Sequence, residues 1–184
     1  MNNIAREIWD WVKTFIIVIL VVLIVRQFLF ANYMVHGESM MPTIENGERL
    51  IINKIGYEFG EPDRSDMIVF HADEQSDYIK RVIGVPGDHI AFENDVLYVN
   101  GEAQDESYLE PFKEQSSGTG LFTQDFTLEE VTGQSTVPEG SVFVMGDNRL
   151  NSMDSRQLGF IETEEIVGKA NLRYWPIEEF TLIG

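Results

Sequence analysis

Three short stretches of the chain hold residue types able to act as nucleophile, base and supporting polar frame. GESMMPT, Gly37 to Thr43, sets Ser39 between a glycine two places before it and a proline three places after it. That is a loop context, and loops present nucleophiles well. YIKRVIGVPGD, Tyr78 to Asp88, inserts Lys80 and Arg81 into an otherwise apolar, strand-like run. Strand alternation puts Lys80 on one face with Tyr78 and Val82, and Arg81 on the other with Ile79 and Ile83. Both faces are largely apolar, so one of these cations is expected to be poorly solvated. Burial disfavours an ammonium and lowers a lysine pKa from about 10.4 toward the range of a general base. The third stretch, Met145 to Phe160, gathers Asp147, Asn148, Arg149, Asn151, Ser152, Asp154, Ser155 and Arg156 directly after the strand-like SVFVMG. Short polar groups at this density suit a rigid loop that bonds to itself and orients its neighbours. Its Asp147, Asp154, Arg149 and Arg156 allow at least two ion pairs within the loop.

Other chemistries fit these residues less well. The chain has no cysteine, which excludes thiolate metal sites, cysteine nucleophiles and disulfides. The Asp/Asn cluster after residue 145 lacks the spacing of a calcium loop, and two arginines there oppose a cation. No metal or cofactor is therefore expected. Of the three histidines, His36 lies three residues from Ser39, His71 ends a strand-like run and His89 follows a Pro-Gly-Asp turn. Nothing in the sequence couples any of them to Ser39 as a Ser–His–Asp scheme requires. A formal net charge of −18 without a basic patch argues against nucleic-acid binding.

The elements that must position these residues divide the chain in two. Thr14 to Val25 is uncharged and apolar, Arg26–Gln27 interrupt it, and FLFANYMV continues to Val35. Together these are twenty-two residues, against the ~20 that cross a bilayer as a helix. Arg26 is placed to snorkel toward an interface, and Trp9, Trp11 and Tyr33 flank the run as interfacial aromatics do. No small-residue cleavage site follows, so an uncleaved anchor is predicted: residues 1–13 as an N-terminal segment, 14–35 as a transmembrane helix and 36–184 as the folded domain. Arg6 and Lys13 before the run are balanced by Arg26, Arg49 and Lys54 after it, so charge gives no orientation. On this layout Ser39 stays within roughly 18 Å of the lipid surface.

The remainder reads as β-rich. RLIINKI, DMIVF, YIKRVIGV, HIAFEND, VLYVN, SVFVMG and ANLRYW are separated by Gly, Pro, Asn and Asp. Asn100–Gly101 predicts a tight hairpin turn. A short helical turn is expected near Glu162–Ile166, with Thr163 as its cap. Residues 102–136 are polar and unpatterned, and are read as an exposed, mobile excursion. The fold class is mainly β, with an antiparallel sheet.

Taken together, SMMPT, YIKRVIGVPGD and GDNRLNSMDSR resemble the motif boxes of bacterial type I signal peptidases, in that family's order after an N-terminal anchor, and NGERLIINKIGY is similar to a remaining box. The resemblance covers nearly the whole chain apart from 102–136. It implies a mostly antiparallel β fold with an apolar surface dipping toward the bilayer. Ser39 would be the nucleophile and Lys80 the general base. Ser152 would orient the lysine amine, while Asp154, Arg156, Arg81 and Asp147 hold the surrounding geometry. Substrates would be secreted preproteins, cut after small residues at −3 and −1, by a domain on the outer face of the cell membrane with the N-terminus cytoplasmic. Some members carry a serine two residues before the nucleophile; Gly37 stands there in this chain, leaving the oxyanion to backbone N–H groups such as those of Ser39 and Gly37. The short length and Gly37 look like the compact Gram-positive enzymes. The alternative is an inactive membrane-tethered binding or scaffold protein of the same fold. Nothing in the sequence sets an oligomeric state.

Overall fold

Runs of β-branched and aromatic residues, broken by residues that accept left-handed backbone, fold here into two antiparallel sheets. The structure is a computed structural model that describes residues 3–24, 29–57, 60–73, 75–110, 112–113 and 120–183. The strands are β1 (Phe30–Met34), β2 (Arg49–Asn53), β3 (Met67–His71), β4 (Asp77–Gly84), β5 (Ile90–Glu93), β6 (Val96–Val99), β7 (Glu102–Gln104), β8 (Phe126–Thr127), β9 (Ser141–Met145), β10 (Ile161–Glu162), β11 (Ile166–Trp175) and β12 (Thr181–Leu182). The larger sheet runs β1-β2-β11-β3-β4-β9-β10, with β12 added to β11; the smaller runs β7-β6-β5-β8. Two tight turns shape the smaller sheet. Asn94–Asp95 joins β5 to β6 and Asn100–Gly101 joins β6 to β7, each with positive φ at both residues. That is the twist a two-residue hairpin demands.

Three apolar clusters hold the sheets. Val35, Met40, Ile44, Leu50, Val69 and Ala170 form one, which clamps both ends of the loop carrying Ser39. Ile83, Phe92, Phe126 and Phe143 belong to a second, which seats the small sheet against β4 and β9. Phe70, Val82, Val142 and Val144 belong to the third. Lys80 is thus carried on β4, between β3 and β9, at the centre of the larger sheet.

Three expectations change. The first helix spans Asn3–Ile24, not 14–35, and the chain resumes as β1, paired along its length with β2. FANYM alternates exposed with half-buried residues, and Ala31 and Tyr33 pack on the core. That period of two suits an edge strand, and the apolar composition had concealed it. No helix among the described residues is long and apolar enough to cross a membrane. The uncharged part of the helix, Thr14 to Ile24, rises about 16 Å, against a hydrocarbon core of about 30 Å. Arg26 and Gln27 lie outside the described residues.

Residues 102–136 are not a loose excursion either. Glu106, Leu109, Phe122, Thr123, Phe126 and Leu128 are buried, and the short helix Leu128–Thr132 starts with a full Thr127/Glu130 capping box. Residues 111 and 114–119 of this segment lie outside the described residues. Last, the turn at Thr163–Glu165 is a 3-10 helix capped by Glu162; the Thr163 hydroxyl donates to Gly140 O instead.

Candidate active site

The loop bearing Ser39 is tied down before and after it. Val35 N donates to Glu48 O, Gly47 N to Val35 O and Ile44 N to Met40 O, while Met40 and Ile44 are fully buried. Gly37 has φ +97°, and a Cβ there would touch nothing within 4 Å. Glycine is required by backbone conformation, not by space. Its N–H donates to Asn46 Oδ1 at 3.0 Å, which takes Gly37 out of the expected oxyanion set. The Ser39 N–H remains, with no acceptor among the described residues.

Lys80 is 3% exposed, and its Nζ donates to Ser39 Oγ at 2.9 Å and to Ile79 O at 2.9 Å. Burial lowers its pKa to about 8; Asp154 and Asp147 act in the opposite direction without reversing it. Those two carboxylates are themselves neutralised. Asp147 takes a two-pronged bond from Arg81 (Nε–Oδ1 2.9 Å, Nη2–Oδ2 2.7 Å) and a third bond from the Thr43 hydroxyl. Burial works against the Asp154 carboxylate, but Arg156 and the Gly146 N–H hold its pKa below the usual range. Asp154 also caps the short helix Ser155–Leu158. Both β4 cations are therefore buried, and among the described residues only Lys80 lacks a carboxylate partner. Lys80 carries the perturbed chemistry.

The polar stretch after β9 frames the pair from behind. The Asn148 N–H donates to Ser39 O at 2.9 Å and its side chain to Glu38 O at 3.1 Å, fixing the backbone on either side of the hydroxyl. Ser152 Oγ is buried and has no hydrogen-bond partner among the described residues. A methyl group on Gly146 would collide with both Ser152 Oγ and Ser39 O, so these two flank one small space. Of the two ion pairs expected inside this stretch, only Arg156–Asp154 forms; Asp147 pairs with Arg81 on β4, and Arg149 with Glu106. A groove of about 290 Å³ opens beside Ser39, with Val35, Leu50, Val69 and Ile79 among its lining residues. None of the histidines bonds to Ser39. His71 Nδ1 instead faces Asp77 Oδ1 at 2.6 Å, and Asp77 accepts from the Tyr33 hydroxyl at 2.7 Å.

A hydroxyl held 2.9 Å from a desolvated amine, with that amine free of any carboxylate, can be deprotonated at near-neutral pH and attack a carbonyl. Comparison with known proteins gives the family. The family model described as "Signal peptidase, peptidase S26" matches residues 8–175. The chain belongs to this signal peptidase family. Its relatives include signal peptidase I of Bacillus caldolyticus, 54% identical over 94% of this chain and 92% of that protein. Signal peptidase IB of Staphylococcus aureus is 41% identical over 95% of this chain and 93% of its own length. The crystal structure of a signal peptidase I from Enterococcus faecalis superposes with a TM-score of 0.57 at 42% identity, covering 60% of this chain and 97% of that one.

The peptidase is thus a serine hydrolase of the bacterial type I signal peptidase kind, with the mainly antiparallel β fold of that crystal structure. Of the residues singled out in the sequence, Lys80 bonds to Ser39, Arg81 to Asp147 and Arg156 to Asp154, while Ser152 Oγ lies with Ser39 O beside Gly146. Sequence reasoning missed Thr43, Asn148 as the clamp on Ser39, and Glu106. Thr43 and Asn148 lay inside the stretches already marked. Glu106 carried no signal, because its partner Arg149 lies 43 residues away in the chain.

Proposed function

We propose that the chain is a membrane-anchored endopeptidase that removes N-terminal signal peptides from secreted preproteins through a Ser39–Lys80 dyad. The observation that carries this reading is the 2.9 Å contact between Ser39 Oγ and a buried Lys80 amine whose pKa is about 8. Neutral Lys80 takes the hydroxyl proton as Oγ attacks the scissile carbonyl carbon, and the charge gathers on the carbonyl oxygen facing the Ser39 N–H. The C–N bond then breaks and the ammonium returns the proton to the leaving amine. Water, deprotonated by the same amine, cleaves the acyl ester and restores the Ser39 hydroxyl. Ser152 Oγ accepts from the Lys80 amine as the ammonium forms. Arg81, Asp147, Asp154 and Arg156 keep the frame fixed.

Two features support membrane attachment. Side chains from Arg6 to Leu23 of the first helix are exposed on every face, including Phe15 through Leu23, an apolar surface that water does not tolerate. A second patch, Trp175, Ile177, Phe180 and Leu182, is also exposed; Trp175 and Met34 stand on either side of Arg49 across three strands, and Met34 lines the Ser39 groove. The cleft therefore opens beside the surface proposed to meet lipid; the cytoplasmic N-terminus and outer β domain are carried over from the family resemblance. The groove's small volume and apolar walls fit short side chains at −3 and −1. Ser39→Ala and Lys80→Ala, each inserted in membranes at normal levels, are expected to lose preprotein cleavage by at least about 10³-fold. Wild-type turnover by either variant refutes the dyad.

A further inference from the structure

A second groove, of about 510 Å³, lies between the 102–136 segment and the catalytic stretch. The loop Leu150–Met153 is the wall the two grooves share. Asn151 and Met153 line the groove at Ser39, while Leu150 and Ser152 line the second one. Ser152 Oγ is the buried hydroxyl without a partner, and it shares its small space with the Ser39 carbonyl. The second groove thus begins at the residue proposed to orient the Lys80 amine.

Its chemistry is specific. Phe122, Phe126, Val131 and Leu150 supply apolar surface, and Asp125 and Glu130 stand exposed at the rim. Each acid accepts one backbone N–H, from Asn94 and Thr127 respectively, and neither is ion-paired among the described residues. The two arginines of the groove are already neutralised, Arg149 by Glu106 and Arg156 by Asp154. What remains is a wall of mixed character, with Val131 and Leu150 beside Gln124 and Gln157, under a rim of charge −2. That suits a side chain with a long aliphatic stem and a cationic end.

We infer that this groove receives the polypeptide on the C-terminal side of the scissile bond and selects lysine or arginine within its first few residues. The inference rests on the Ser39–Lys80 reading, because the direction of the leaving amine follows from it. A chain held in the Ser39 groove up to its scissile carbonyl must continue past Ser152, and the second groove is the cleft on that path. Asp125 and Glu130 are positioning residues for the leaving segment; neither touches the reacting atoms.

The test uses the full-length enzyme in detergent and three peptides identical up to the cut, carrying Lys-Lys, Gln-Gln or Glu-Glu at the second and third positions after it. Wild type is expected to cleave the lysine peptide about 5-fold better in kcat/KM than the glutamine one, with the glutamate peptide poorest. In Asp125→Asn/Glu130→Gln, which keeps both backbone acceptors and the capping box, the preference shrinks to within about twofold. A distant pair, Glu164→Gln/Glu178→Gln, leaves the wild-type preference standing. Equal cleavage of the three peptides by wild type overturns the inference, as does a preference surviving in the groove variant or collapsing equally in the distant one. Failure of wild type to cut any peptide overturns the peptidase reading on which the inference rests, whereas equal cleavage of all three overturns the inference alone.

Discussion

Lys80 sits in the fold at a cost, and that cost can be read out. Its folded pKa of about 8 lies below the 10.5 of an exposed lysine, with desolvation as the leading cause. Between these values the unfolded chain binds more protons than the folded one, so stability rises with pH across that window. Below about 8 the buried ammonium carries its full penalty, roughly 3 kcal/mol. Lys80→Met, similar in length and uncharged, is expected to raise the unfolding free energy at pH 7 by about 1–3 kcal/mol while abolishing cleavage. Urea titrations of both proteins from pH 7 to 10.5 should show the gap closing as pH rises; a constant gap means the amine is not desolvated. Activity has the matching sign. The neutral amine is the base, so kcat/KM should climb to a plateau through a pKa near 8 and show no lysine-like limb near 10.5.

At the scale of elements, the catalytic stretch after β9 is clasped from two sides, by Arg81 on β4 and by Glu106 from the 102–136 segment. Glu106→Ala leaves the fully buried Arg149 guanidinium without its carboxylate, at a cost of about 3–5 kcal/mol. The same change loosens the backbone that presents the Asn148 N–H to Ser39 O, so cleavage should fall with stability. Adding Arg149→Met removes the stranded charge, and thermal melts are expected to recover most of the lost stability; no recovery argues against an isolated buried charge. This clasp shows where sequence reading stops. Strands β2, β3, β4, β6 and β9 are legible from local runs of Ile, Val and Phe, whereas the roles given to Ser39, Lys80 and Ser152 come from the resemblance of their motif boxes to the signal peptidase family. Glu106–Arg149 and Arg81–Asp147 join residues 43 and 66 apart, and periodicity carries no information over such separations. β1 was hidden for a different reason. Its apolar residues continue those of the first helix, so composition merged two elements that only the alternation of FANYM separates.

At the scale of the whole molecule, a body of strongly negative charge carries two exposed apolar surfaces, the first helix and the Trp175–Leu182 patch. Anionic lipid headgroups would repel such a body, so the patch must act through its apolar side chains, each worth about 1.5–3 kcal/mol when buried. Ile177 and Phe180 reach farther into solvent than a buried partner surface would leave them, and both lie on the irregular segment between β11 and β12. Replacing them in the full chain, Ile177→Ser with Phe180→Ser, removes surface without touching the core. In liposomes the variant should cleave a membrane-inserted preprotein at least about 10-fold less efficiently than wild type, the deficit appearing mainly in KM. A short water-soluble peptide in detergent should be cut at the wild-type rate, because the two replaced side chains are exposed and make no hydrogen bond to Ser39, Lys80 or their frame. An equal loss on both substrates would mean the patch supports the fold and not the meeting with lipid. The comparison also separates the roles proposed for the two surfaces: attachment for the helix, which is intact in the variant, and orientation of the cleft for the patch.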